Sequence, residues 1–217
     1  MAEVNLLAAL PKTERNVQAR AQAKSPEVVA ISRRYGQEYF DGEREYGYGG
    51  YRYDGRWVPV ARDIVQHFDL QPGDRVLDVG CAKGFLVKDL MQVCPGLEAF
   101  GLDISEYALA HCEPEVVGRI HLGSAVKLPF PDASFKVAIS LNTLHNLERP
   151  DLIAALREIE RVAPGRGFVQ VDSYRTPEER ETFLQWVITA RYHDYPQGWL
   201  EVFAEAGYRG DHYWTLV

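Results

Sequence analysis

The chain has 217 residues, of which 46% are hydrophobic, and a formal net charge of −7 at pH 7. This length suits one domain, or one domain with an extension. The acidic charge argues against nucleic acid as a partner, because phosphate binding depends on basic side chains. The three cysteines are spaced neither for a zinc site nor for a disulfide framework. The sequence also starts without a secretory signal and has no apolar run near ~18 residues. These features favour a cytoplasmic protein with no membrane partner.

The first 34 residues form a polar arm that favours helix and is interrupted by Pro11 and Pro26. The arm is basic although the chain is acidic. Two interpretations remain open, a solvated surface helix or a docking site for an anionic substrate or partner. The basic residues of the arm are Lys12, Arg15, Arg20, Lys24, Arg33 and Arg34.

Residues 35–58 (YGQEYFDGEREYGYGGYRYDGRWV) are unusually rich in tyrosine and glycine. Aromatic rings on a glycine-flexed loop predict a lid that stacks on a sugar or cofactor and excludes water. A hydrophobic strap packed over the sheet edge is the alternative. Platforms for single-stranded nucleic acid have a similar mixture, but the net charge disfavours that role. The candidate substrate-binding residues of the segment are Tyr48, Tyr51, Tyr53, Arg56 and Trp57.

Residues 59–217 alternate between helix and strand, and the strands are apolar nearly throughout. Alternation predicts parallel pairing through right-handed crossovers, and apolar strands indicate that helices cover both faces of the sheet. We therefore predict a doubly wound α/β domain with a mostly parallel sheet that binds ligands at the carboxyl ends of its strands. Helices are predicted at 59–70, 85–93, 106–112, 151–162, 177–192 and 198–207, and strands at 75–80, 98–105, 118–125, 136–145, 167–174 and 208–217.

The stretch DVGCAKGFL, residues 78–86, links the first of these strands to a helix. A dinucleotide loop needs G-x-G-x-x-G, and Phe85 occupies the position where the last glycine would pack the helix on the strand. The pattern acid-x-Gly-x-small-x-Gly is filled instead, by Asp78, Gly80, Ala82 and Gly84. An acid at a strand end can receive an ammonium group, and small residues let the backbone approach a ligand. Asp103 ends the next strand and can accept both hydroxyl protons of a ribose, although dinucleotide folds place an acid similarly.

Taken together, these elements resemble the class I methyltransferases that depend on S-adenosylmethionine (SAM), over roughly residues 58–217. The resemblance implies SAM as cofactor and S-adenosylhomocysteine (SAH) as product. It also implies where SAM contacts the chain. Asp78, Gly80, Cys81, Ala82 and Gly84 would surround the methionine part, Asp103 would bind the ribose, Ile104, Ser124 and Ala125 would contact adenine, and Leu141 would lie under the sulfonium.

The chain departs from that family in three places. Ala82 replaces the usual middle glycine of the loop, and Ser124 stands where the family often has aspartate. A single strand is predicted after Gly207, where the family usually has a hairpin of two. We therefore expect six strands and an unusual sheet edge.

Catalytic candidates follow the fourth and fifth strands. His145 ends the fourth strand, and Asp172 and Tyr174 end the fifth, which should lie beside it at ~4.8 Å. Asp172 can therefore orient His145 as a general base. The alternative is that His145 caps its loop while Asp172 pairs with an arginine such as Arg175.

A second polar cluster, His193 and Asp194, is expected to face the same cleft. Such pairs also bind metals, but no third or fourth ligand is spaced to complete a site, and we expect none.

The predicted function is methyl transfer to a small polar acceptor, a hydroxyl or amine of a sugar or sugar nucleotide. The front segment YGYGGYRYDGRW is also similar to a bacterial subgroup of these enzymes found beside surface-polysaccharide and sugar-nucleotide genes. Two alternatives remain, a methyltransferase for protein or RNA and a non-catalytic protein that binds SAM or SAH. The sequence identifies neither the acceptor nor the oligomeric state, and a homodimer is one of the states it allows.

Overall fold

The fold is a six-stranded sheet with helices on both faces, in a computed structural model that describes residues 1–11 and 16–216. The strand order is β3-β2-β1-β4-β5-β6, and all five neighbouring pairs are parallel. The predicted doubly wound α/β fold is confirmed, and the sheet is wholly rather than mostly parallel. The strands are β1 Arg75–Val79, β2 Glu98–Asp103, β3 Ile120–Leu122, β4 Val137–Leu141, β5 Gly167–Ser173 and β6 Asp211–Leu216.

Helices cover the sheet because successive strand residues point to opposite faces. Val76 packs into a core cluster with α4 and α5, whereas its neighbour Leu77 packs into a second cluster with α7 and α9. Both clusters are apolar, which accounts for strands without polar alternation. The helices are α1 Val17–Ala23, α2 Pro26–Ser32, α3 Gln37–Asp41, α4 Val58–His67, α5 Phe85–Val93, α6 Glu106–Ala110, α7 Arg149–Val162, α8 Pro177–Trp186 and α9 Pro196–Ala206.

The helix predicted at 177–192 ends earlier, at Trp186. Val187 is extended, and the backbone N–H groups of Arg191 and Tyr192 both donate to the carbonyl of His145. These long-range bonds hold residues 187–195 as a loop against the end of β4, which a local helix pattern does not reveal. The final strand was predicted to reach Val217, which lies outside the described residues.

The β6 edge is the unusual edge that the sequence predicts. The N-terminal segment covers it, because Val4 N–H donates to His212 O at 2.9 Å and His212 N–H donates to Ala2 O at 3.0 Å. Leu6 is buried just beyond this bridge. An unpaired edge strand invites pairing with other chains, and the segment covers part of this edge.

Three basic side chains of the arm are bound to other parts of the chain, whereas Arg34 is exposed. Arg20, Lys24 and Arg33 spend their side chains on backbone carbonyls, whereas Lys12 and Arg15 lie outside the described residues. Their acceptors lie in the tyrosine-rich segment and around α8: Arg44, Glu45, Gly47, Leu184, Thr189 and Ala190. The arm therefore fastens the tyrosine-rich segment and α8 over the carboxyl ends of the strands.

Candidate functional site

A pocket opens at the carboxyl ends of β1, β2 and β4, where the strand order reverses, and encloses about 1060 Å³ including its mouth. This is the position expected for a ligand in an open α/β sheet. Nine of the ten predicted cofactor residues line it, and the tenth, Gly84, is the N-cap of α5 with φ 79°. The nine are Asp78, Gly80, Cys81, Ala82, Asp103, Ile104, Ser124, Ala125 and Leu141.

Asp78 ends up buried without a counter-charge. It is 4% exposed, and no residue in the described part of the chain hydrogen-bonds or pairs with its carboxylate. Burial, followed by the nearby charge of Asp103, raises the pKa of Asp78 to about 7. A buried acid in this state favours a cationic ligand group, because a neighbouring positive charge would stabilise its ionised form. The methionine ammonium of SAM fits this requirement.

Asp103 is held by the cofactor loop. Its Oδ2 accepts the N–H of Ala82 at 2.7 Å and its Oδ1 accepts the N–H of Ser105 at 2.8 Å. Burial raises the pKa of Asp103, which the hydrogen bonds oppose. Each carboxylate oxygen accepts more than one bond, so both keep capacity for a pair of ribose hydroxyls.

The backbone of the loop explains its small residues. Ala82 has φ 50°, in the left-handed region that normally favours glycine, and the bond to Asp103 holds it there. A Cβ on Gly80 would overlap the side chain of Thr143. Cys81 is buried, and burial raises the pKa of its thiol, so this residue is an inert part of the loop wall.

Ile104 provides an apolar surface in the pocket. It is 61% exposed although it follows a buried strand. A large exposed apolar side chain inside a pocket is suited to stacking on a flat ring, and Ser124 and Ala125 line the same pocket. The arrangement fits the adenine of SAM.

The tyrosine-rich segment closes the pocket from above, and we call its residues 35–57 the aromatic lid. Tyr48, Tyr51 and Trp57 line the pocket, as the sequence predicts. Tyr53 and Arg56 do not, because the Tyr53 hydroxyl donates to Asp89 at 2.6 Å and Arg56 pairs with Asp54. Sequence reasoning missed three further lid residues, although they belong to the same aromatic run: Tyr35, Tyr39 and Phe40.

His145 lies beside the pocket and does not line it. It is 5% exposed, and its Nδ1 accepts the backbone N–H of Asp172 at 3.2 Å. Burial lowers the pKa of His145, which the charge of Asp172 opposes. The two residues meet as the strand order predicts, but through the Asp172 backbone. With Nδ1 accepting, the ring proton sits on Nε2, so neither nitrogen offers a free lone pair to a substrate.

Tyr174 and His193 form a separate cluster beneath α8. The Tyr174 hydroxyl and His193 Nδ1 are 3.0 Å apart, and Phe183 and Tyr195 pack on the Tyr174 ring. Burial raises the pKa of Tyr174 and lowers that of His193. Neither side chain lines the pocket, so the structure brings neither the catalytic candidate Tyr174 nor the substrate candidate His193 to the predicted cofactor residues.

Residues after β4 contribute a polar wall that sequence reasoning missed. Asn142, Thr143, Asn146 and Leu147 line the pocket, and Asn142 has φ 52°. Asn146 Nδ2 donates to Asn142 O at 3.2 Å, while its Oδ1 is buried without a partner in the described structure. The signal was available, since polar residues directly after a parallel strand fall at the ligand edge.

Two further properties bound the chemistry. Within residues 1–11 and 16–216, no three His, Cys, Asp or Glu side chains are grouped so that they could hold a metal ion. No helix in that same part is both long and apolar enough to cross a membrane.

Comparisons with known proteins agree with this geometry. Residues 77–171 match a family model described as a methyltransferase domain. A demethylmenaquinone methyltransferase of Symbiobacterium thermophilum is 33% identical over 128 residues, 55% of this chain and 50% of the relative. A 2-methyl-6-phytyl-1,4-hydroquinone methyltransferase of Synechocystis is 28% identical over 181 residues, 72% of this chain and 55% of the relative. The chain thus spans about half the length of these curated relatives.

Solved structures agree on the fold. The YcgJ protein of Bacillus subtilis superposes with a TM-score of 0.55 at 19% identity, over 67% of this chain and 66% of that one. At that identity the likeness concerns the fold alone.

Proposed function

The chain carries a class I SAM-dependent methyltransferase domain, and from that premise we propose that the protein transfers a methyl group from SAM to a small-molecule acceptor. One observation carries the proposal. Asp78, a buried carboxylate without a partner among the described residues, lies in one pocket with eight further residues that the resemblance assigns to SAM.

Three residues would each bind a different part of SAM. Asp78 would hold the ammonium group, Asp103 the ribose, and Ile104 the adenine. SAM supplies a methyl group activated by the positive charge of its sulfur. Such a transfer needs mainly a positioned acceptor and exclusion of water. The rings of Tyr48 and Tyr51 form an apolar wall of the pocket that would position the acceptor and exclude water.

The same wall favours an aromatic acceptor such as a hydroquinone or phenol. Flat rings stack on tyrosine faces, and the described pocket is lined by no histidine, lysine or glutamate that could deprotonate an aliphatic hydroxyl. A phenol ionises far more readily, near pH ~10. Both curated relatives described above are named for quinone or hydroquinone substrates. Of the sugar acceptors expected from the sequence, a hydroxyl needs a base at this place and is less well supported.

Transfer of labelled methyl from SAM tests the function. The purified protein is incubated with SAM carrying a radioactive methyl group and with two acceptor panels, hydroquinones and sugar nucleotides. We expect label in a hydroquinone or phenol, and about 10–100-fold less label with Asp78→Asn at a SAM concentration below saturation. Label in the sugar panel alone would reverse the acceptor assignment. SAH binding without any labelled product would instead favour a non-catalytic binding protein.

Substitutions of His145 distinguish two roles for this residue, a general base and a hydrogen-bond acceptor for the backbone N–H of Asp172. In His145→Asn the amide oxygen can replace Nδ1 as the acceptor, so we expect kcat to stay within about tenfold of wild type, whereas a lost base would cost 10²–10⁴-fold. His145→Ala leaves the Asp172 N–H unpaired and should lower the free energy of unfolding by about 1–3 kcal/mol. Steady-state kinetics and thermal unfolding measure the two effects. A hundredfold loss of kcat in folded His145→Asn would support His145 as the general base.

A further inference from the structure

Lys83 is a buried cation inside the cofactor loop. It lies between Ala82 and Gly84, and the residue is 7% exposed. A buried ammonium is costly unless each of its donors is satisfied. Its Nζ contacts Asp41 Oδ2 at 2.6 Å, Asp41 Oδ1 at 2.9 Å and the carbonyl of Tyr51 at 3.0 Å. All three contacts are made by the aromatic lid, so the cofactor loop and the lid share one buried charge.

Asp41 extends this connection. It is the last residue of α3 in the lid, and it also accepts the N–H of Tyr51 at 3.1 Å and the hydroxyl of Tyr107 at 2.8 Å. Burial alone would raise the pKa of Asp41, but the bonds from Lys83 and Tyr107 outweigh it, and the pKa lies below its usual value. Tyr107 belongs to α6, which begins just after Asp103. The pair therefore joins three elements around the pocket.

The same contacts fix the aromatic wall. Tyr51, whose N–H and C=O are both bound by the pair, stacks on Phe85 at the start of α5, with centroids 4.6 Å apart and planes at 13°. Tyr48 lies 4.3 Å from Tyr51, centroid to centroid. Lys83 and Asp41 themselves do not line the pocket. They hold the tyrosines that do.

The backbone beside Lys83 fixes where its ammonium group lies relative to the lid. Ala82 and Gly84, on either side of Lys83, have φ 50° and 79°, and Asp103 holds the N–H of Ala82. A different loop conformation would carry the ammonium away from Asp41 and release the Tyr51 backbone. The present conformation of the loop and the present position of the lid are thus stabilised by the same ion pair.

We propose that Asp41 and Lys83 are positioning residues that couple cofactor binding to closure of the aromatic lid, so that the wall facing the acceptor is complete only when the cofactor loop is ordered. The proposal rests on the SAM site proposed above. Binding of the cofactor before the acceptor is its direct consequence, because the acceptor packs on tyrosines that the pair positions.

A double-mutant cycle tests the coupling with SAH as the probe. Asp41→Asn, Lys83→Met and the double variant are compared by calorimetric titration and by amide hydrogen exchange of residues 35–57, with and without SAH. Tyr107→Phe, which removes one bond to Asp41, is the milder variant. Lys136→Met is the matched control, since Lys136 forms an ion pair of the same 2.6 Å length with Asp74 at the amino ends of the strands.

We expect each single variant to bind SAH about tenfold more weakly, within the usual range of coupling between sites, and the double variant to bind no more weakly than the singles. In the single variants without SAH, amide hydrogen exchange of residues 35–57 should be faster than in wild type. Addition of SAH should no longer slow this exchange. Tyr107→Phe should show a smaller change in the same direction, and Lys136→Met should match wild type. Circular dichroism identifies variants that fail to fold, and Tyr107→Phe then carries the comparison.

Two results would overturn the coupling, and they differ. If folded Asp41→Asn and Lys83→Met bind SAH and protect the lid as wild type does, only the coupling fails. If wild type itself does not bind SAH, the cofactor assignment fails and the coupling fails with it.

Discussion

SAH should bind the protein about tenfold more weakly at pH 6 than at pH 8, and binding near pH 6 should release close to one proton. The cause is Asp78, whose pKa in the unliganded protein is raised to about 7 by burial and by Asp103. At pH 6 most molecules carry a protonated Asp78, and a ligand ammonium requires the ionised form. Affinity must therefore rise as the pH passes upward through 7.

Calorimetric titration in two buffers with different enthalpies of ionisation measures the released proton directly. Asp78→Asn should weaken binding at pH 8 by about 10–100-fold, the scale of a lost charged hydrogen bond, and should flatten the pH dependence to what Asp103 contributes. Glu98→Gln is the control, since it removes one exposed acid at the amino end of β2. Equal affinity of wild type at pH 6 and pH 8 would contradict the assignment.

The raised pKa of Asp78 also predicts that the unliganded protein becomes less stable at the pH where it binds SAH more tightly. The folded-state pKa of about 7 lies above the unfolded value near ~3.9, so the folded protein binds more protons than the unfolded chain. The unliganded protein should lose stability as the pH rises through this window. At pH 8, Asp78→Asn should therefore be more stable than wild type, by up to about 4 kcal/mol. Weaker binding by a more stable protein cannot be attributed to damage of the fold.

The residues predicted to bind the cofactor could be placed in one pocket because they lie at or near the ends of neighbouring strands. Asp78 lies in β1, Asp103 ends β2 and Leu141 ends β4, and parallel strands present their carboxyl ends at one edge. A local pattern thus determines a three-dimensional site. The limits of the strands were less accurate, because the edge strand β3 pairs on one side only and keeps three residues, against eight predicted at 118–125.

The residues predicted to bind the substrate line the pocket less consistently. Tyr51 lines the pocket while Tyr53, two positions on, turns away to Asp89. The intervening segment has no regular period, so nothing local distinguishes the two tyrosines. His145 and Asp172 illustrate a related limit. Strand order brings them together, but whether side chain or backbone makes the contact depends on packing at the strand ends.

Asp103→Asn should weaken SAH binding by about 10–100-fold, and Asp103→Ala should weaken it further. The Asp103 carboxylate accepts the N–H groups of Ala82 and Ser105. Asparagine keeps one oxygen for them, whereas alanine keeps none and leaves the loop backbone unpaired. Glu106→Ala is the matched control, because it removes an exposed acid three positions away.

The ribose contact itself is tested with the 2′-deoxy analogue of SAH. If Asp103 binds the ribose hydroxyls, wild type should prefer SAH to the analogue by about tenfold or more, the scale of a hydrogen bond to a charged group. Asp103→Asn should bind the two ligands almost equally, since the carboxylate that recognises the hydroxyl is gone. A preference that survives in Asp103→Asn would mean that another group binds the ribose. Asp103 would then serve the site only by holding Ala82 in its left-handed conformation, and the weaker binding of the variant would reflect a disordered cofactor loop.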